Sequence, residues 1–63
     1  MNIQKGTQTI QGIEVTPKVW NDRIYFNSNR GNACWDTKTE EWVKCRQEVG
    51  SRFKGFIRQV FEF

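Results

Sequence analysis

The sequence predicts an α+β domain: a small, strongly curved antiparallel sheet of three to five strands, with one C-terminal amphipathic helix packed on its apolar face. Three observations carry this reading. Apolar and polar residues alternate from Ile13 onward, the period of a strand with one buried face. Further runs rich in β-formers follow, separated by Asn, Asp, Ser, Thr and Gly clusters of the kind that make turns. From Val49 the apolar spacing changes to that of a helix. With 63 residues the core is thin, because a chain this short buries only about 60% of its unfolded surface. Large side chains must therefore carry the fold, and three Trp, one Tyr and five Phe are there to do so.

The first long strand spans residues 13–20. Its odd positions, Ile13, Val15, Pro17 and Val19, form an apolar face, and Glu14, Thr16, Lys18 and Trp20 form the other. Pro17 has no N–H to give a ladder, which makes this an edge strand or one bent at a bulge. Asn21-Asp22 is a hairpin turn signal. The second strand is residues 23–27, followed by a polar loop at 28–32 in which Gly31 is free to take positive φ. Residues 33–36 and 41–46 read as a hairpin around the turn at 37–40, with Trp35 and Trp42 opposite each other. Residues 7–11 are the candidate for a fifth strand.

The helix is placed at 48–62. Val49, Phe53, Phe56, Ile57, Val60 and Phe61 fall on one arc of its wheel, and Arg52, Lys54, Arg58 and Glu62 fall outside it. Ser51 is the expected N-cap. Gly55 costs about 1 kcal/mol relative to Ala inside a helix, which reads as a close approach to the sheet at that point.

Composition removes most chemistry. With no histidine there is no imidazole base, no Ser-His or Cys-His nucleophile pair and no His-containing metal site. Cys34 and Cys45 stand too far apart for the paired spacing of a zinc ribbon, so no metal or other cofactor is expected. The glycines are isolated, leaving no phosphate-cradling loop. Asp36, Glu40 and Glu41 read as a solvated hairpin tip. No apolar run reaches the roughly 18 residues of a membrane span, and the N-terminal residues lack a signal-peptide core. A cytoplasmic protein with reduced, buried cysteines is the expectation, with a Cys34–Cys45 bridge the alternative in an oxidising compartment.

Strand parity then divides the sheet. Ile13, Val15, Val19, Ile24, Phe26, Cys34, Val43 and Cys45 go to the face under the helix. Lys18, Trp20, Arg23, Tyr25, Trp35, Trp42, Lys44 and Arg46 go to the opposite face, which nothing covers. Aromatic rings interleaved with cations are what single-stranded nucleic-acid platforms use, with bases stacked on the rings and phosphates met by the cations. Arg30, in the amide-rich loop, extends this candidate site. A chain carrying ten Lys and Arg against seven Asp and Glu, net +3, agrees with it. The function expected is thus a non-enzymatic binding module for nucleic acid. The alternative is a small protein-binding regulator or inhibitor using the same Trp, Tyr and Arg residues as an interface. Closure of the sheet into an SH3-like or OB-like barrel is the variant that would bury Trp35 or Trp42 instead.

Overall fold

The computed structural model describes residues 3–63. A short 3-10 turn at Ile3–Lys5 leads into five strands and one helix: β1 (Gln8–Ile10), β2 (Ile13–Trp20), β3 (Arg23–Ser28), β4 (Gly31–Asp36), β5 (Glu41–Val43) and α1 (Ser51–Phe61). The strands form an open antiparallel sheet in sequence order. Short turns dictate that meander. Gln11 and Gly12 both take positive φ, 52° and 78°, as the two central residues of a tight hairpin of the mirror-image type require. Asn21, at φ 55°, turns β2 into β3, and the pair Asn29-Arg30 turns β3 into β4. At the longer β4–β5 turn the Asp36 carboxylate accepts the N–H groups of Lys38 and Thr39 at 2.9 and 3.1 Å, an Asx turn. The hydrogen bond from Thr39, followed by that from Lys38 and the nearby Arg23 guanidinium, holds this carboxyl below the usual range against the opposing effect of burial.

β2 changes partner along its length. Residues 13–15 pair with β1 and residues 16–20 with β3, so the sheet is bent at its long strand. β5 ends at Val43, three residues before Arg46, because the chain then leaves the sheet and returns in the opposite direction. There the Asn32 N–H donates to the Gln47 carbonyl at 2.6 Å and the Val49 N–H to the Asn32 carbonyl at 3.0 Å, a parallel bridge between Asn32 and Glu48.

The face of β4 and β5 is the reverse of that expected. The two-residue turn pairs Ser28 with Gly31, so Phe26 faces Ala33 and Ile24 faces Trp35, while Tyr25 faces Cys34. Trp35 in turn pairs with Trp42 and Cys34 with Val43. Both indoles therefore lie on the inner face, under the helix, and Cys34 and Val43 lie on the outer one. The expected loop at 28–32 had hidden this register, and a one-residue slip exchanges the two faces of a strand. This register buries Trp35 and half-buries Trp42 under the helix while Cys34 stays buried on the other side, and large rings gain most from removal from water.

Ile10, Val15, Ile24, Phe26, Ala33 and Trp35 from the sheet close around Ile57 and Phe61 of α1, with Ile3, Trp42, Val49, Phe53, Phe56, Val60 and Phe63 packed at the margin. The aromatic contacts are continuous. Phe61 lies 5.1 Å from Phe26, Trp35 5.1 Å from Trp42, and Phe63 4.8 Å from Trp35. Cations roof this cluster: Arg58 sits 5.2 Å from the Trp35 ring and Lys54 5.7 Å from Trp42, with Lys54 also held by Glu48.

Gly50, not Ser51, occupies the N-cap position and provides no side-chain hydrogen bond. At the other end Glu62 takes the left-handed conformation, φ 60° and ψ 57°, and the Phe63 N–H reaches back to the Arg58 carbonyl at 3.1 Å, which turns Phe63 onto the aromatic cluster. Gly55 is exposed, and a methyl group there would meet nothing within 4 Å, so no close approach explains it. Gly55→Ala is accordingly expected to stabilise the fold by about 0.5 to 1 kcal/mol. A thermal melt should rise by roughly 2 to 8 °C for a domain of this size; a fall would mean that the helix needs that glycine.

Candidate interaction face

The outer face of the β2–β3 hairpin is built by parity. Thr16, Lys18 and Trp20 of β2 stand opposite Asn27, Tyr25 and Arg23 of β3. Trp20 is 63% exposed and Tyr25 half-buried. These two rings sit diagonally across the strand pair, and together with Lys18 and Asn27 they line an open hollow of about 350 Å³. Asn27 also lines a larger polar hollow of about 740 Å³ that runs past Thr16 and Glu14 to Arg30. The two hollows share Asn27, the smaller at the aromatic end of the hairpin and the larger toward the β3–β4 turn. Val19, of inner parity, lies beyond the helix and is 56% exposed, so the tip is apolar on both sides.

Of the nine residues expected to form the site, the structure gathers four here: Lys18, Trp20, Arg23 and Tyr25. Arg23 is engaged, its Nε 3.7 Å from the Asp36 carboxylate. Arg30 is exposed and lines the larger hollow, away from the two rings. Trp35 is corrected to the core, with only 7% of its surface exposed, and Trp42 to the core's margin on the same inner face. Lys44 and Arg46 are exposed in the connection after β5, off the sheet face where parity had put them. Asn27 and Thr16 were missed, although the parity that placed Tyr25 and Lys18 also places them.

Charge and aromaticity separate in space. The hairpin face and its turns, with the neighbouring acids of β4 and β5, carry Lys18, Arg23 and Arg30 against Glu14, Asp22, Asp36 and Glu41, a net −1. The other seven cations and three acids, net +4, belong to the N-terminal turn, the β4–β5 turn and the segment from Lys44 to Glu62.

Backbone hydrogen bonding limits how a partner can approach. Residues flanking a two-residue turn exchange both ladder bonds, so Trp20, Lys18 and Thr16 bond to β3 while Pro17 and Val19 face the free edge. β1 reaches only Val15 on that side. Since Pro17 has no N–H, Val19 is the single donor of that stretch, an edge well guarded against strand addition.

Cys34 lies beneath this face, between Tyr25 and Val43, and is a buried free thiol. Burial raises its pKa, against the lowering pull of Arg23 and of a hydrogen bond from the Tyr25 side chain. Cys45 is half-buried, its Sγ 3.4 Å from the Asn32 carbonyl, and burial followed by the charge of Glu48 raises it as well. Both thiols are expected to alkylate slowly at neutral pH, Cys45 before Cys34, and rapidly in denaturant; equal rates in the folded and unfolded protein would contradict this placement. The raised values also set a sign. Stability from this source is complete below the ordinary thiol pKa and is lost as pH climbs through the raised one.

Among the described residues no three Cys, Asp or Glu side chains converge as metal ligands, and no helix is long and apolar enough to cross a membrane. Comparison with protein-family models, curated proteins and solved structures finds no match.

Proposed function

We propose that this chain is a non-enzymatic binding module that docks a protein partner on the outer face of the β2–β3 hairpin, with Trp20 as the anchor. The observation that carries this reading is Trp20 itself, 63% exposed on a paired strand near Tyr25 and Lys18. Trp and Tyr lining an open hollow are the side chains that dominate binding energy when a partner covers them. The charge partition weighs in the same direction, because a face of net −1 offers a polyanion little attraction. Nucleic-acid binding is the second reading, favoured by the net +4 on the helix side, where Lys44, Arg46 and Arg52 are exposed. In that case the contacts would be to phosphates, away from Trp20, and would weaken steeply with salt.

Affinity capture from native lysate, with nuclease treatment and a salt wash, separates the two. A protein retained after both treatments and lost with Trp20→Ala, whose fold is unchanged by circular dichroism, is the expected result. Material released by nuclease, or retained equally by Trp20→Ala, would overturn the first reading.

A further inference from the structure

We infer that the hollow between Trp20 and Tyr25 takes a proline-rich segment in the extended polyproline II conformation. This deepens the protein-binding reading and rests on it. The lining is complementary to such a segment in three respects. First, two aromatic rings on adjacent strands, Trp20 and Tyr25, line it, and polyproline II segments dock in aromatic-lined grooves. Second, its polar groups can donate: the Trp20 indole N–H, the Lys18 ammonium and the Asn27 amide have no side-chain hydrogen-bond partner among the described residues, and no carboxylate lines the hollow. Proline has no N–H, so a run of prolines presents carbonyl acceptors alone. Tyr25 contributes its ring to the lining.

Third, the alternatives for an extended peptide are poor. Adding a strand to the free edge of β2 would find one N–H, that of Val19, beside a proline. A second copy of this chain paired antiparallel about Lys18 would set two ammonium groups directly opposite each other, an unfavourable pairing. A polyproline II segment needs no ladder, since its backbone stays solvated, and its preformed shape costs little ordering entropy on a shallow surface.

The test is a titration of the 15N-labelled protein with a capped oligoproline peptide, a Gly/Ser peptide of equal length and an oligo(dT) strand, followed at the three indole N–H resonances and, for affinities in the variants, at the backbone amides of Lys18, residue 25 and Asn27. Oligoproline is expected to move the Trp20 resonance saturably and leave Trp35 and Trp42 in place, with the Gly/Ser peptide silent. Trp20→Ala, an exposed site that leaves the core untouched, should weaken binding at least about tenfold. Tyr25→Phe should change it less than about twofold, since the ring remains. No saturable shift with millimolar oligoproline, or an equal shift with the Gly/Ser peptide, overturns the proline assignment. If a captured protein still requires Trp20 in that event, the binding face itself stands. A Trp20 shift produced by oligo(dT) alone, and abolished by salt, overturns both.

Discussion

Phe61→Ala is expected to leave the chain largely unfolded. Phe61 is wholly buried and packs 5.1 Å from Phe26 at the centre of the aromatic cluster, and no other element can move in to fill the space. Truncating a buried Phe costs about 3 to 5 kcal/mol, which equals the whole stability that a core of this size supplies. Phe56, on the margin of the same helix and half-buried, should cost clearly less when truncated. Urea denaturation of the two variants side by side checks the order. A Phe61→Ala protein that retains a cooperative transition near the parent midpoint would show that the helix does not close the core as described.

Gly31→Ala is the second large effect, and it acts through the backbone. Gly31 has φ 135°, a conformation closed to side chains, and an added methyl would stand 2.6 Å from the Gln47 carbonyl oxygen and 3.3 Å from Val49. Neither neighbour can yield freely, because that carbonyl accepts the Asn32 N–H that ties the returning chain to β4. Backbone strain and the displaced bridge together should cost about 3 kcal/mol, lowering the melting temperature by more than roughly 10 °C. Gly31→Ala melting within a few degrees of the parent would mean that the bridge is dispensable.

The α+β class, the antiparallel sheet and the C-terminal helix were legible because each rests on a strong local pattern. The alternation from Ile13 to Trp20 marks β2, and the arc from Val49 to Phe61 marks the buried side of α1. What local pattern could not show was the face taken by β4 and β5. Ala33, Cys34 and Trp35 are consecutive apolar residues, as are Trp42 and Val43, so alternation there fits either register. The deciding information is the length of the β3–β4 turn. Ser28 closes that turn by donating its hydroxyl to the Gly31 carbonyl at 2.6 Å, a contact that a polar, glycine-containing stretch does not announce.

The candidate site inherited that ambiguity. Lys18, Trp20, Arg23 and Tyr25 sit on strands joined by the Asn21-Asp22 turn, whose two-residue length is plain, and their grouping follows directly. Trp35, Trp42, Lys44 and Arg46 were drawn in through the uncertain hairpin, and with them went the impression of a broad aromatic-cationic platform. Trp is also the residue whose type says least about its face, since its indole serves equally well in a core and at an interface.

Solvent access to the three indoles tests the central claim most directly. In protein labelled with 5-fluorotryptophan, the 19F resonances are compared in light and heavy water, and each is assigned by its loss in the Trp20→Phe, Trp35→Phe or Trp42→Phe variant. One resonance, that of Trp20, is expected to show the full solvent shift of an exposed ring, with Trp35 nearly silent and Trp42 between them. Full shifts at Trp35 and Trp42, with or without Trp20, would return those rings to the outer face and contradict the register on which the interaction site is built.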